Sequence, residues 1–122
     1  MKPQVKSKER VTKYAEVLTP HEIVCAMLDL VKTETQRIDS RFLEPACGTG
    51  NFLTEILERK LRMVEKYYRK VQLEYERYAV LAVSSSYGID ILEDNVQECR
   101  ERLFEVFNRA YTKIFGGNVK EA

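Results

Sequence analysis

The chain has 122 residues, of which 44% are hydrophobic and 32% are charged, as expected for one folded domain. Its formal net charge of +1 gives no indication, by itself, of a nucleic-acid partner. No apolar run approaches the length of a membrane-spanning helix and no signal-peptide pattern is present, so no membrane association is expected. Residues 1–18 are rich in lysine and arginine and are expected to form a flexible basic leader, ahead of a folded domain over 19–122.

The three cysteines are widely separated in the sequence. Cys25, Cys47 and Cys99 form no CxxC pair, and any disulfide would leave one thiol over. Reduced thiols in a cytoplasmic protein are therefore expected. Because His21 is the single histidine, a zinc site would have to recruit all the cysteines, and no metal site is predicted.

The first predicted helix starts at Thr19. Threonine suits the N-cap, Pro20 suits the first helical position, and Glu22 completes a capping box. The buried stripe of this helix is expected to consist of apolar residues at helical spacing: Ile23, Met27, Leu30 and Val31.

A short strand is predicted at Phe42–Glu44, stopped by Pro45. A helix should begin near Asn51, with a buried stripe of Leu53, Leu57, Leu61 and Val64. A second helical run follows, with Tyr75, Tyr78, Ala82 and Ser85 on one face. Neither run contains glycine or proline, so one long bent helix or two helices are both possible.

The second predicted strand, Ser86–Asp90, ends in a carboxylate. A last amphipathic helix follows and ends at Gly116-Gly117; its stripe is Val96, Cys99, Leu103, Val106, Ala110 and Ile114. Strands that alternate with helices predict an α/β fold, here rich in helix, with about two parallel strands joined by a right-handed crossover.

The segment Phe42–Leu53 combines a short strand, an acidic residue, a glycine-rich turn and the start of a helix. This order suits a cofactor with polar and anionic groups, because glycines let backbone N–H groups approach closely and a helix N-terminus favours negative charge. Leu53 occupies the third glycine position of the dinucleotide-binding fingerprint, and the phosphate-loop pattern is missing. The GxG element alone is therefore weak evidence for a nucleotide-binding site.

The wider segment Glu44–Leu53, EPACGTGNFL, resembles the first cofactor motif of S-adenosylmethionine-dependent DNA methyltransferases that modify adenine at N6, the class found in bacterial restriction–modification systems. Residues 17–24, VLTPHEIV, resemble the motif that precedes the cofactor loop in the gamma arrangement of these enzymes. Residues 87–91, YGIDI, resemble the end of their second strand. The resemblance covers 17 to about 107 and implies a partial Rossmann-like methyltransferase fold.

The resemblance implies a binding site for S-adenosyl-L-methionine. Glu44 would bind the cofactor's ammonium group, directly or through water. Asp90 would accept both ribose hydroxyls, and Ile91 would offer an apolar surface to the adenine. The remaining implied contacts lie at the methionine end and in the loop: Thr19, Pro20, Pro45, Ala46, Cys47, Gly48, Gly50 and Phe52.

Each of these residues also has a simpler interpretation. Thr19 would only cap a helix, Glu44 would be a surface charge, and Asp90 would cap the following helix. Cys47 is interpreted as a small loop residue and not as a nucleophile, and His21 as an exposed residue in a first helical turn.

Two further groups of side chains are open to a nucleic-acid interpretation. One group consists of four tyrosines, which are interpreted either as a core stripe or as rings that stack on bases: Tyr67, Tyr68, Tyr75 and Tyr78. The charged stretch from Lys60 to Arg77 lengthens the interval between Glu44 and Asp90 to 90 − 44 = 46 positions. It is a solvated helix face, or an insertion that approaches DNA phosphates through Lys66, Arg69 and Lys70.

The family's catalytic motif, [NDS]-P-P-[YFW], is missing from these residues. The three prolines, Pro3, Pro20 and Pro45, are not adjacent to one another. The chain is therefore expected to bind cofactor but to lack catalytic residues and to be inactive alone. The resemblance implies DNA as a partner through the full-length protein, and also the remainder of the methyltransferase or a specificity subunit. A second copy of the chain is a further candidate partner. The alternatives are a non-catalytic binding or assembly module and, less favoured by Leu53, a NAD-binding fragment.

Overall fold

The computed structural model describes residues 4–5, 17–45 and 47–116. Its elements, in chain order, are β1 (Gln4–Val5), β2 (Val17–Leu18), α1 (His21–Asp29), α2 (Lys32–Thr35), β3 (Phe42–Glu44), α3 (Asn51–Tyr68), α4 (Gln72–Ser84), β4 (Ser86–Gly88) and α5 (Glu93–Phe115). No helix within these ranges is both long and apolar enough to cross a membrane. The predicted leader over 1–18 lies outside the described residues, apart from β1 and β2, which pair antiparallel.

Strands β3 and β4 form a parallel pair. Phe42 is opposite Ser86, and Glu44 is opposite Gly88. The predicted pair of parallel strands in a helix-rich chain is confirmed. Because both strands run the same way, Glu44 and the residues after Gly88 meet at one edge of the sheet, which is the edge that positions the candidate site.

Helix α3 lies at the centre of the molecule and packs against α1, α4 and α5. Its predicted stripe is confirmed, since all four residues are at most 3% exposed. One apolar cluster joins α3 to α4 and α5, and consists of Leu57, Leu61, Val64, Tyr75, Ala79, Ala82 and Val106. A second joins α3 to α1, the loop and α5, and consists of Val24, Leu28, Cys47, Leu53, Ile56 and Cys99. Burial of these stripes stabilises α3 by roughly 25 cal/mol per Å² of apolar surface.

The long helical region is two helices and not one. Val71 has an extended backbone, with φ −121° and ψ 110°, and it precedes α4 as the N-cap.

The four tyrosines of this region differ in burial. Tyr75 is 1% exposed and Tyr67 is 64% exposed, while the Tyr68 and Tyr78 rings stack with centroids 3.8 Å apart. The core interpretation of the tyrosines is therefore confirmed for Tyr75 and wrong for Tyr67.

The N-terminus of α1 differs from its prediction. Pro20 is the N-cap, with no side-chain cap bond, and its carbonyl accepts hydrogen bonds from the N–H groups of Ile23 and Val24. The predicted capping box from Thr19 to Glu22 is therefore wrong, because the helix begins one residue later than that motif requires.

The buried face of α1 also differs from its prediction. Val24 is 0% and Leu28 6% exposed, and these two residues pack into the second cluster. The predicted stripe lies largely in solvent, with Ile23 42%, Met27 50%, Leu30 85% and Val31 44% exposed. The helix has two apolar stripes at helical spacing, and packing on α3 selects the one that periodicity did not.

Lys60 is a buried exception in the charged stretch of α3. Its side chain is fully buried, and its ammonium donates hydrogen bonds to the carbonyl of Ser40 and, at 2.5 Å, to Oγ of Ser85. Nζ also lies 5.2 Å from the centroid of the Phe42 ring. For Lys60 the prediction of a solvated face is wrong, because its amine is hydrogen-bonded to residues that precede β3 and β4. Lys66, Arg69 and Lys70 are exposed.

Candidate cofactor-binding site

The glycine-rich loop connects β3 to α3 and has a left-handed backbone at two positions. Gly48 has φ 55°, and Gly50, the N-cap of α3, has φ 92° and ψ 28°. A Cβ on Gly50 would lie 2.6 Å from Sγ of Cys99. Glycine is therefore required at position 50 both by the backbone conformation and by the close approach of α5.

Asp90 joins this loop to the second strand. Its Oδ2 accepts a hydrogen bond of 3.0 Å from the N–H of Gly48. Its Oδ1 accepts bonds from the N–H of Leu92 at 2.8 Å and from Nδ2 of Asn95 at 3.3 Å. The carboxylate thus orders the loop and the segment that leads into α5 together. It does not cap the helix as the simpler interpretation expects, because the N-cap of α5 is Leu92 and has no side-chain cap hydrogen bond.

Backbone hydrogen bonds hold the loop against the segment after β4. The N–H of Ile89 donates to the carbonyl of Glu44 at 3.0 Å, and the N–H of Cys47 donates to the carbonyl of Ile89 at 2.9 Å. Glu44 is the last residue of β3. The second strand, β4, ends at Gly88 and not at Asp90 as predicted, so Asp90 lies two residues beyond the carboxyl end of the adjacent parallel strand. In open α/β sheets, ligands bind in the crevice outside these strand ends.

The segment before α1 reaches the same loop. Nδ2 of Asn51 donates a hydrogen bond of 2.7 Å to the carbonyl of Thr19. Thr19 and Pro20 are half-buried. The structure therefore brings Thr19, and with it the start of the preceding motif, to the first residue of α3.

An arginine that no motif indicated fixes this arrangement from α5. Arg102 donates from one nitrogen to the Thr49 carbonyl at 2.9 Å, to Oγ1 of Thr49 at 3.2 Å and to Oδ1 of Asn51 at 2.8 Å. The side chains of Asn51, Asn95 and Arg102 were not predicted as site residues. Asn51 stands inside the quoted motif, whereas Arg102 and Asn95 lie on an ordinary amphipathic helix with no sequence signal.

The remaining predicted residues differ in their surroundings. Pro45 is exposed, and Ile91 is 80% exposed directly after Asp90. Phe52 packs against the second apolar cluster. Ala46 lies outside the described residues. An exposed isoleucine beside a carboxylate offers an apolar surface next to a hydrogen-bond acceptor.

The two thiols beside the loop are poor nucleophiles. Burial raises the pKa of Cys47 to about 11, and the neighbouring Cys99 and Asp90 add to the rise. Burial also raises the pKa of Cys99. Both groups are thiols at neutral pH, and the thiolate is the reactive form. The interpretation of Cys47 as a small loop residue is therefore supported.

A groove of about 700 Å³ lies along the sheet and α5, and is lined by Arg41, Phe42, Leu43, Cys47, Leu53, Ser86, Tyr87, Gly88, Ile89, Val96, Cys99, Arg100 and Leu103. Among the predicted cofactor residues that the structure describes, which exclude Ala46, only Cys47 lines this groove. The groove is therefore separate from the predicted contacts at the strand ends, and it is a surface that the sheet leaves uncovered.

Comparison with known proteins identifies no relative: no protein-family model, no curated protein and no solved structure matches the chain. The site is therefore interpreted from its own residues.

Proposed function

We propose that this chain is the S-adenosyl-L-methionine-binding part of an adenine-specific (N6) DNA methyltransferase of a restriction–modification system, with a partial Rossmann-like fold. The observation that carries the proposal is a convergence. The three segments that resemble the family's motifs, 17–24, 44–53 and 87–91, meet at one loop. They are joined by the hydrogen bonds from Asn51 to Thr19 and from Gly48 to Asp90.

The residues around the loop fit the groups of this cofactor. The cofactor has an ammonium and a carboxylate at one end, two ribose hydroxyls in the middle and an adenine at the other. The Glu44 carboxylate suits the ammonium, and the N-terminus of α3 favours the carboxylate. Asp90 accepts hydrogen bonds from hydroxyls, and the exposed side chain of Ile91 suits an aromatic ring.

Asp90 has capacity for this role beside its structural one. A carboxylate has about four lone-pair sites. Gly48, Leu92 and Asn95 donate to it, so about one site remains. That suits one ribose hydroxyl, and not both hydroxyls as the resemblance implies. The same group would then order the loop and sense the ligand, which makes the loop geometry dependent on Asp90 in two ways.

The bound cofactor supplies an electrophilic methyl group to the reaction. This chain's residues hold and orient it, but the motif that receives the target adenine is missing from these 122 residues. In the family that motif accepts hydrogen bonds from the target amine and stacks on the flipped base. We therefore expect no methyl transfer to DNA by the chain alone, measured with labelled cofactor; detectable transfer would overturn this expectation.

Calorimetry with two cofactors tests the binding proposal. Titration of the purified chain with S-adenosylmethionine should give saturable binding of one ligand per chain, and titration with NAD should give none. Saturable binding of NAD, or no binding of S-adenosylmethionine by a folded chain, would contradict the proposal. A thermal-shift measurement with the same two ligands provides an independent readout, because a ligand that binds only the folded state raises its midpoint.

A non-catalytic assembly module is a second candidate function. The observation that favours it is the uncovered face of the sheet, where the paired residues Leu43 and Tyr87 are 65% and 51% exposed. A two-stranded sheet with an apolar face needs a covering element for independent stability. A partner protein, or the remainder of a longer enzyme, would supply that cover.

A further inference from the structure

A second group of functional side chains lies where α1 packs on α3, outside the loop. His21 and Cys25 are one turn apart on α1, and Glu55 projects from α3. Nε2 of His21 lies 3.5 Å from Sγ of Cys25 and 4.0 Å from Oε1 of Glu55. The three potential ligand atoms lie within 4.8 Å of one another. We propose that these residues form a Zn²⁺ site, contrary to the expectation from sequence that zinc would need all three cysteines, because Glu55 supplies a ligand from the neighbouring helix.

The two separations that involve Nε2 of His21 are close to those of a tetrahedral zinc site, while Sγ of Cys25 and Oε1 of Glu55 lie within 4.8 Å of each other. Zinc binds cysteine sulfur at about 2.3 Å and histidine nitrogen or carboxylate oxygen at about 2.0–2.2 Å. Tetrahedral angles then place neighbouring ligand atoms roughly 3.3–3.6 Å apart. The distance from His21 to Cys25 already has this value, and the distance from His21 to Glu55 has to shorten by roughly half an ångström.

The types of ligand select the metal. Mg²⁺ and Ca²⁺ prefer sites made only of oxygen, whereas Zn²⁺ accepts nitrogen, sulfur and oxygen together. On binding, the Cys25 thiol loses its proton to solvent, because the thiolate is the ligand. One thiolate, one carboxylate and a neutral imidazole then balance the charge of the ion.

Glu55 is held in the orientation that this site requires. Its side chain is 7% exposed. Its other oxygen, Oε2, accepts a hydrogen bond of 3.0 Å from Nε of Arg59, which leaves Oε1 towards His21. Arg59 also donates to the Cys25 carbonyl at 3.3 Å. Hydrogen bonds to a ligating carboxylate are a regular feature of metal sites and fix its direction.

The positive charge of Arg59 is partly balanced within the structure. Nη2 of Arg59 lies 2.9 Å from Oδ1 of Asp29. The His21 side chain is 72% exposed, so an ion can enter from solvent, and water would occupy the fourth position. Bound zinc would cross-link α1 to α3 directly after Thr19 and Pro20. The proposal does not depend on cofactor binding at the loop.

Metal titration of the reduced, chelator-treated chain tests this proposal. Competition for Zn²⁺ against a chromophoric chelator should reveal one site per chain. Co²⁺ in the same site should give a thiolate charge-transfer band and visible bands of tetrahedral intensity. The simple alternative, a metal-free contact between His21, Cys25 and Glu55, predicts no saturable binding and no thiolate band, and that result would overturn the proposal.

Ligand variants identify the residues that bind the ion. His21→Ala, Cys25→Ala and Glu55→Gln should each lower zinc affinity about a hundredfold or more, since loss of an outer-shell partner alone costs roughly 10–100-fold. Cys25→Ala should also remove the thiolate band. The matched controls Cys99→Ala and Glu58→Gln should leave affinity unchanged. If buried Glu55→Gln does not fold, the two α1 variants decide; wild-type affinity in both would overturn the proposal.

Discussion

The N–H of Gly48 donates a hydrogen bond of 3.0 Å to the carboxylate of Asp90, 42 positions later in the chain. This contact joins the glycine-rich loop to the end of the second parallel strand. Because Asp90 also accepts from the N–H of Leu92, one side chain determines both the loop geometry and the entry to α5. The contact also makes Asp90 the residue whose removal is most informative.

Asp90→Ala should weaken binding of S-adenosylmethionine roughly ten- to hundredfold, because a hydrogen bond to a charged group is worth about 1.5–3 kcal/mol. Calorimetry measures this change. Glu93→Gln, which removes a negative charge from the first turn of α5, is the matched control and should bind as the wild type does. Equal affinity in Asp90→Ala and wild type would remove Asp90 from the site.

A cofactor analogue separates the two roles of Asp90. An analogue without the ribose hydroxyls should bind the wild type more weakly than the cofactor does. It should bind Asp90→Ala about as well as the cofactor does, because the acceptor is already gone. If the wild type binds both ligands equally, Asp90 acts only through the loop.

Gly50→Ala should destabilise the fold by about 2–5 kcal/mol. A left-handed backbone costs a non-glycine residue roughly 1–2 kcal/mol, and overpacking costs roughly 1–3 kcal/mol. The clash is with Sγ of Cys99, so adding Cys99→Ala should recover part of the loss. Urea unfolding measures each variant and the double-mutant cycle.

Gly116→Ala is the control for this cycle. Gly116 also has a positive φ, 72°, but a Cβ there would meet nothing within 4 Å. The loss of stability caused by Gly116→Ala should be the same with and without Cys99→Ala. Equal effects of Cys99→Ala on the two glycine variants would contradict a direct contact between position 50 and the thiol.

Lys60 should make stability rise with pH. Burial lowers its pKa to about 8, partly opposed by Asp39, whereas an unfolded lysine has a pKa of about 10.4. Between these values the unfolded state binds more protons than the folded state. The free energy of unfolding therefore rises across this range, by up to about 3 kcal/mol at 1.36 kcal/mol per pKa unit.

The variant Lys60→Met isolates this effect. Cys47, whose pKa is raised, opposes the rise above about pH 9, but it does so in both proteins. The difference in urea-unfolding free energy between wild type and Lys60→Met should therefore grow from about pH 8 to 10. For Lys70→Met, at an exposed position, the unfolding free energy should change with pH in parallel with that of the wild type. Parallel curves for Lys60→Met would contradict a lowered lysine pKa.

The uncovered sheet face should cause self-association. Leu43 and Tyr87 are neighbours across the two strands, and Ile89, which follows β4, is 57% exposed. Sedimentation velocity should show oligomers whose population rises with concentration. Leu43→Lys should reduce the population of oligomers, because burying an unpaired ammonium is unfavourable. Leu73→Lys, at a 76% exposed position on α4, is the matched control, and a wild-type monomer at high concentration would contradict the prediction.

Local patterns determined most elements of this protein. The strand at Phe42–Glu44, the helix start at Asn51 and the helix ending near Gly116 follow from short-range chemistry, because turn residues and a single amphipathic stripe leave little choice. Gly48 and Gly50 were predicted as cofactor contacts because glycines let backbone N–H groups approach closely. The structure adds that both have a left-handed backbone.

Tertiary packing decided the face of α1. The helix has apolar residues at two sets of helical positions, so its periodicity fits burial of Ile23 and Met27 as well as burial of Val24 and Leu28. Only the position of α3 selects the second pair. The N-terminus of α1 also depends on a contact with α3. The carbonyl of Thr19 accepts a hydrogen bond from Asn51, and the helix starts after Pro20.

Long-range polar partners were also decided by the tertiary structure alone. The sequence predicts Lys60 only as part of a charged stretch, and no sequence pattern singles out Arg102 or Glu55. Their partners lie 20 or more residues away in the chain: Ser40 for Lys60, Thr49 for Arg102 and His21 for Glu55. A sequence records which side chains carry charge, but burial and the partners that compensate it exist only once distant segments are packed together.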